Sequence, residues 1–538
     1  MAAYILPYHP TVTTLTFGDA STLHDEAIPS VVTEKKDAKD PFLVTLDPDE
    51  PENPDSWSRL KKWSITILGG VLVLNATFAS SAPSGILPHL MEKYTFSEQV
   101  GVLVISLFVA GFCVGPILWG PLSEEFGRRP VFIVSFFVYM CFQIGMALSQ
   151  NTASLLVFRF LGGIFASGPL TNSGAIISDM WNDRDRGKAL AVFVIAPFAG
   201  PSLGPIVSGF ISVGGASWRW LFWVLTIFAG VCWILILIMI PETYKPLLRV
   251  WKARRLRKET GDDRYYAPME RNKKTMAQQV ENVLAKPFKM LVREPMLIAS
   301  TVYMSFVYGC LYLLFEAYPI VFTKGHHFSA GMTGLAFLPI LIGAASAVVV
   351  YLLIFNPQYE QLMEQYSPHP VPPEHRLAMS LYASPLFAIS FFWFAWTSYP
   401  HVTYWAPLLS GWLIGFSIMG IFLSFFNYII GKSRLRFSTH PQLNVITDTY
   451  LALAASALAV NTICRSLFGA AFPQFANQMY DAMTPRWASS LVGFVALAMV
   501  PIPFVFLKYG AKLRAKSKYA PMAATAPLPP KESDVSAA

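Results

Sequence analysis

A chain of 538 residues that is 54% hydrophobic and only 14% charged has too little charge to cover a water-exposed surface of its size. Its charges are also clustered, which excludes an ordinary soluble domain and describes a polytopic membrane protein. The net charge of +8 is modest and lies between apolar runs instead of interleaving with aromatics on a polar domain, so no nucleic-acid partner is expected.

The five cysteines, Cys113, Cys141, Cys232, Cys310 and Cys464, each sit in an apolar run without metal-ligand spacing. They are expected to be buried small side chains, with no disulfide framework, metal or cofactor. Residues 1–56 lack the apolar core of a cleavable leader. The run from Asp47 to Asp55 is acidic and proline-rich, and a disordered cytoplasmic tail is expected there. Arg59, Lys61 and Lys62 then hold the N-terminus in the cytosol.

A crossing needs about 20 residues. The apolar runs place spans 1 to 12 at 63–85, 99–120, 130–149, 153–176, 187–212, 218–240, 295–318, 330–355, 377–397, 402–430, 448–471 and 487–508. The fold class is therefore all-α, with two six-helix halves at 57–243 and 295–510 and a cytoplasmic tail at 511–538. Between the halves, 244–294 is polar and basic, including Lys252, Arg254, Arg255, Arg257 and Lys258; Thr275 to Val292 has the spacing of an amphipathic helix on the inner leaflet. Alternate loops carry Arg128 and Arg129; Arg184, Arg186 and Lys188; Arg376; and Lys432, Arg434 and Arg436, against single cations on the other side. Both termini are thus expected in the cytosol.

The hairpin Gly120-Pro-Leu-Ser-Glu124-Glu-Phe-Gly127-Arg128-Arg129 joins spans 2 and 3. Glu124 can accept from the exposed N–H groups of a helix start or pair with an arginine. The order G-P-L-S-E-x-x-G-R-R resembles the loop-2/3 signature of the major facilitator superfamily, with Glu124 in place of the common Asp. That resemblance implies a substrate site at the midplane between the halves. It also implies a cytoplasmic gate at Gly120, Glu124, Gly127, Arg128 and Arg129, with Glu124 reaching across the half interface toward the cytoplasmic end of span 11.

Three ionisable residues stand deep in apolar runs, where a charge must find a partner or water. Arg159 of span 4 is either a carbonyl clamp or a fixed charge for proton coupling; its R-F-x-x-G context resembles the span-4 motif of proton-driven facilitators. Glu316 of span 7 is a candidate proton carrier or an interfacial carboxylate. Arg465 of span 11 shares a helix face with Asn461 and either lines the cavity or braces helix packing. In span 5, Gly200-Pro201 and Gly204-Pro205 must kink the helix. Their G-P-x-x-G-P resembles the antiporter motif of exporters in the superfamily, with Pro205 where the last glycine stands.

Together with Pro241-Glu242-Thr243 after span 6, these pieces resemble the fungal twelve-span drug:proton antiporters, including polyamine and multidrug exporters, over roughly residues 55–510. The resemblance implies proton-coupled efflux of small amphipathic molecules, drugs, toxins, polyamines or a secondary metabolite, by a monomer in the plasma membrane, with the vacuolar membrane as alternative. A nutrient importer is the rival reading. Aromatics along spans 1, 4, 7 and 10 would wall the cavity, with Asn75, Asn172, Tyr308, Tyr312, Asn427 and Asn461 as its polar lining. Gly431 to Thr447 interrupts the pattern between Ile430 and Asp448. It is either a basic loop extension or, the favoured reading, an intron translated in frame. No nucleophile–base set or phosphate loop suggests an enzyme.

Overall fold

The computed structural model describes residues 40–47, 49–271, 286–366, 371–432 and 444–515, excepting the side chains of 430–432, 444–456 and a few helix-end residues. Eleven helical runs are long and apolar enough to cross a membrane. The last, Ala457–Gly510, is 54 residues long and reverses at Thr484, whose φ is 63°. Pro485 follows, and a residue before proline is pushed out of the helical region. That run therefore holds spans 11 and 12, and the crossings number twelve.

Helix starts follow from local chemistry. The Ser58 hydroxyl accepts from the Lys61 N–H at 3.4 Å and caps span 1, Arg59–Ser81. Asn151 caps span 4, Thr152–Met180, at 2.8 Å. Pro295 opens span 7, Pro295–Tyr318, where its missing N–H costs nothing. In the first half, span 2 (Glu98–Glu125) packs on span 4, span 1 on the outer part of span 5 (Ala196–Val213), and span 3 (Arg128–Ala147) on span 6 (Arg219–Met239). In the second, span 10 (Trp405–Lys432) packs against spans 8 and 9, and span 7 against span 11. The halves meet where span 2 lies on span 11 and span 5 on span 8. Cys232 and Cys310 are buried, whereas Cys141 of span 3 is exposed, contrary to expectation.

Lipid offers no hydrophobic drive between helices, so close contact depends on small residues. A Cβ at Gly200 would stand 2.0 Å from Thr77 Oγ1, and one at Gly204 2.0 Å from Ser81 Oγ, so the kinked span 5 lies backbone-to-helix on span 1. Pro205 faces span 8, where a Cβ at Gly334 would fall 2.4 Å from the Pro205 carbonyl oxygen. The glycine missing from the antiporter-like motif is supplied by the neighbour.

The expected disordered tail is corrected for residues 40–56, which dock on the linker helix Lys245–Thr260 and the segment after it. Lys252 pairs with Glu50 at 2.7 Å, Arg255 with Glu52 at 2.7 Å, and Lys245 with Asp55 at 2.7 Å. Val44 is buried with Val250, Ala253 and Ala267, and its N–H donates to the Tyr266 carbonyl at 3.0 Å. The Tyr266 hydroxyl donates to Asp40 and holds that carboxyl below its ordinary range. Each segment read alone is too charged to fold; their opposite signs and shared apolar contacts make them one unit. Residues 1–39, 516–538, most of the Gly431–Thr447 insert, and 272–285 of the expected amphipathic helix lie outside the described residues; Lys286–Arg293 is helical.

Val44→Asp should release this unit, because it buries an unpaired charge where about 1.5–3 kcal/mol of apolar burial stood. Limited proteolysis of the detergent-purified protein should then cut within 40–56 at least several times faster, with unchanged far-ultraviolet dichroism. Unaltered protection would show that the docking is not held by this contact.

Candidate functional site

Arg159 sits at the centre of the first half, fully buried. Its Nε donates to the Val104 carbonyl of span 2 at 2.6 Å, and its two terminal nitrogens to Ala79 and Ser80 of span 1 at 2.8 and 2.9 Å. The sequence explains one of these acceptors. Pro83 has no N–H to return to the Ala79 carbonyl, so that oxygen is left for the guanidinium. Phe108 covers the cation's face at 4.3 Å. These contacts are those of the carbonyl clamp.

The clamp borders the half interface. Ser80 Oγ lies 2.8 Å from the Tyr312 hydroxyl of span 7, which lies 3.4 Å from that of Tyr308. The guanidinium of Arg465 stacks on Tyr308 at 5.1 Å and on Phe426 of span 10 at 5.8 Å. Phe422 of span 10 meets Phe198 of span 5 at 4.8 Å. A line of polar groups thus runs between two buried arginines, one from each half, through a cluster of aromatic rings.

Of the six expected lining residues, the structure brings Tyr308 and Tyr312 together here. Asn461 is buried one turn from Arg465, donating to Met304 Sδ at 3.5 Å. Asn75 is instead taken by Tyr139, whose hydroxyl donates to it at 3.0 Å within the first half. Asn172 and Asn427 belong to matching hubs at the linker end of the two halves. Arg128, at the start of span 3, reaches Asn172 of span 4 at 3.4 Å, and Arg376, before span 9, reaches Asn427 of span 10 at 3.3 Å. The repeat of six spans carries the pair from one half to the other.

In the hairpin, Gly127 has φ of 99°, which side chains resist. This turn aims the first N–H groups of span 3 at Glu242: its carboxylate accepts from Arg128 N at 2.9 Å and Arg129 N at 3.1 Å, and also from Thr243 and Tyr244. Arg128 further contacts Asp179 of span 4 at 3.5 Å. The helix-start acceptor is therefore Glu242, not Glu124, which is exposed like its neighbours Glu125 and Phe126. Glu124 lies in the last helical turn of span 2, with its side chain exposed. The partner expected for it on span 11 falls among side chains outside those described. Gly120 meets no neighbouring atom that a Cβ would approach.

At the outer end, Glu316 is 7% exposed and accepts from Asn477 Nδ2 of span 11 at 3.1 Å; the same amide donates to Glu98 of span 2 at 3.0 Å. Beside it, Gln99 donates to Gln474 at 2.9 Å, and Gln478 donates back to Gln99. Spans 2 and 11 are closed together here. At the opposite end, Lys188 pairs with Glu360 across the halves at 2.9 Å. The outer lock went unread in the sequence, although Gln474, Asn477 and Gln478 lie three and four apart on one helix face.

Twelve crossings among the described residues, in two repeated halves that meet at a buried polar and aromatic seam with polar contacts at either end, are the architecture of a multi-pass membrane transporter and not of an enzyme. Residues 70–473 match the Major Facilitator Superfamily, and the chain belongs to that family. It is 40% identical to "Efflux pump FUBT" of Fusarium oxysporum over 90% of this chain and 78% of that one. It is 41% identical to "MFS-type efflux pump MFS2" of Trichophyton rubrum, over 89% of this chain and 78% of that one. Among solved structures it resembles the proton:xylose symporter XylE in fold, with TM-score 0.59 and 16% identity over 84% of this chain and 96% of that one.

Glu242→Gln should lower the unfolding midpoint in detergent by the equivalent of about 2 kcal/mol, because charge-assisted bonds to several buried N–H groups weaken. Glu124→Gln should leave it unchanged. The opposite order of the two variants would reject Glu242 as the cap. Arg159→Met, which orphans three carbonyls, should cost more than either and reduce the yield of monodisperse protein; a monodisperse, equally stable variant would reject the clamp.

Proposed function

We propose that this transporter is a proton-coupled exporter of small amphipathic molecules, working by alternating access as a monomer in the plasma membrane. Glu316 carries the reading. Closing the outer end, as here, surrounds this carboxyl with protein. A charged carboxylate is costly to bury in that way and a neutral acid much less so. An outward-facing protein that has released its substrate therefore takes a proton onto Glu316 before spans 2 and 11 can close. When the cytoplasmic end opens, water reaches the seam at Tyr308 and Tyr312, whose hydroxyls lead from the helical turn next to Glu316, and the proton passes along them to that water and the cytosol. Proton entry and substrate exit are then joined in one cycle.

The direction is supported by the names of the fungal relatives, which are efflux pumps, and by the Gly200-Pro201 and Gly204-Pro205 kinks of span 5 that resemble the exporter motif. Arg159 serves the cycle by holding spans 1, 2 and 4 as one moving body. Gly120, Gly127, Arg128 and Arg129 shape the cytoplasmic gate, and Glu124 is its candidate latch to span 11.

Inside-out vesicles carrying the protein should take up a neutral or charged amphiphile faster when the lumen is acid. In Glu316→Gln, which is permanently neutral, uptake should become indifferent to the gradient while exchange of internal for external substrate persists. A variant that keeps the gradient dependence would remove Glu316 from coupling; wild-type uptake indifferent to the gradient would favour a facilitator.

A further inference from the structure

We infer that Arg465 is an anion subsite of the central seam between the halves, and that the transported molecules include organic acids with an aromatic or apolar body. This deepens the exporter reading and rests on it only for the direction of flux.

The contrast between the two buried arginines carries the inference. Both are almost fully enclosed, at 0% and 4% exposure for Arg159 and Arg465. Arg159 spends its donors on three carbonyl oxygens. Arg465 has no hydrogen-bond acceptor among the described residues: its contacts are the faces of Tyr308 and Phe426, and its Nε is left without a partner. Ring faces offset part of a cation's desolvation but cannot accept the planar fork of a guanidinium. A guanidinium held this way in a membrane interior is costly unless an oxyanion completes it during the cycle.

The carboxylates of the protein are poorly placed for that. Glu316 is engaged by Asn477, which lies twelve residues beyond Arg465, about 18 Å along a helix. Glu98 and Asp179, nearer the two ends, are held by Asn477 and Arg128, and Glu242 by the first N–H groups of span 3. The acceptor that fits is therefore brought by the cargo. One turn toward the cytosol on the same face, the Asn461 carbonyl oxygen is also buried without a partner, ready to receive a donor beside the acid group. Tyr308, Phe422, Phe426 and Phe198 supply flat apolar surface for the body of the ligand. A carboxylate or sulfonate accepts two parallel N–H bonds from such a fork, the strongest geometry available to an arginine.

The test compares naphthalene-2-sulfonate with naphthalene-2-sulfonamide on the purified full-length protein in nanodiscs, by calorimetry. The two share a ring body, and the sulfonate stays charged at every working pH, so it cannot leak through vesicles as a neutral acid. The wild type should bind the sulfonate at least tenfold more tightly. Arg465→Gln should lose about ten- to a hundredfold of sulfonate affinity while sulfonamide binding stays within a few fold, and Arg465→Lys should fall between. Equal wild-type affinities would overturn the inference, as would a preference that survives Arg465→Gln. Should the glutamine variant fail to fold, the wild-type pair and the lysine variant decide alone. Vesicle uptake separates this from the exporter reading. Gradient-driven uptake of the sulfonamide with no binding of the sulfonate would sink the anion subsite and leave the exporter. Arg465-dependent sulfonate binding with transport indifferent to the gradient would do the reverse.

Discussion

A guanidinium inside a bilayer must have its N–H groups met by protein, and Arg159 meets this by drawing carbonyls from two other helices. One of those carbonyls is available only because Pro83 ends the regular ladder of span 1. The clamp therefore fixes where span 1 stops and how spans 1, 2 and 4 stand to one another. It also sets Ser80 at the seam, where its hydroxyl meets Tyr312 of the other half. The polar contact between the halves and the pair of tyrosine rings beside it rest on that placement.

The same shortage of hydrophobic drive in lipid explains the glycines of span 5. Its two Gly-Pro pairs bend the helix and strip it of side chains where it lies on span 1, and span 8 answers Pro205 with Gly334. Such contacts are sterically exact but held by little more than dispersion, so one helix can rock on another without breaking strong bonds. Among the described residues, the bonds that cross between the halves are few and include Ser80 to Tyr312 at the central seam, Gln99, Glu98 and Ser106 to the Gln474–Gln478 face of span 11 at one end, and Lys188 to Glu360 at the other. That distribution suits the alternating access proposed for this transporter.

In the linker and the segment before span 1, charge that looks wasteful in either alone is used in the pair. The acidic run before span 1 neutralises Lys245, Lys252 and Arg255, so the connection between the halves is a folded body with its own small apolar centre. Exposed ion pairs of this kind are individually weak, and the buried Val44 gives the contact its register.

Spans, their number, the position of the basic linker and the family are written in the sequence. Apolar length and loop charge are properties of the chain itself, and the bilayer reads them one segment at a time. The hairpin glycines and arginines, the kinks of span 5 and the buried charges at 159, 316 and 465 were legible for the same reason. Partnership was not. That Glu242 caps span 3 in place of Glu124, that Asn172 and Asn427 serve arginines at the linker end and not the expected cavity, and that the acidic tail folds onto the linker all join residues far apart in the chain. A carboxylate or an amide looks alike in sequence whichever donor it will meet. Only the packing of the helices decides which donor is within three ångströms, and so which buried arginine is satisfied by its own protein and which is left to its cargo.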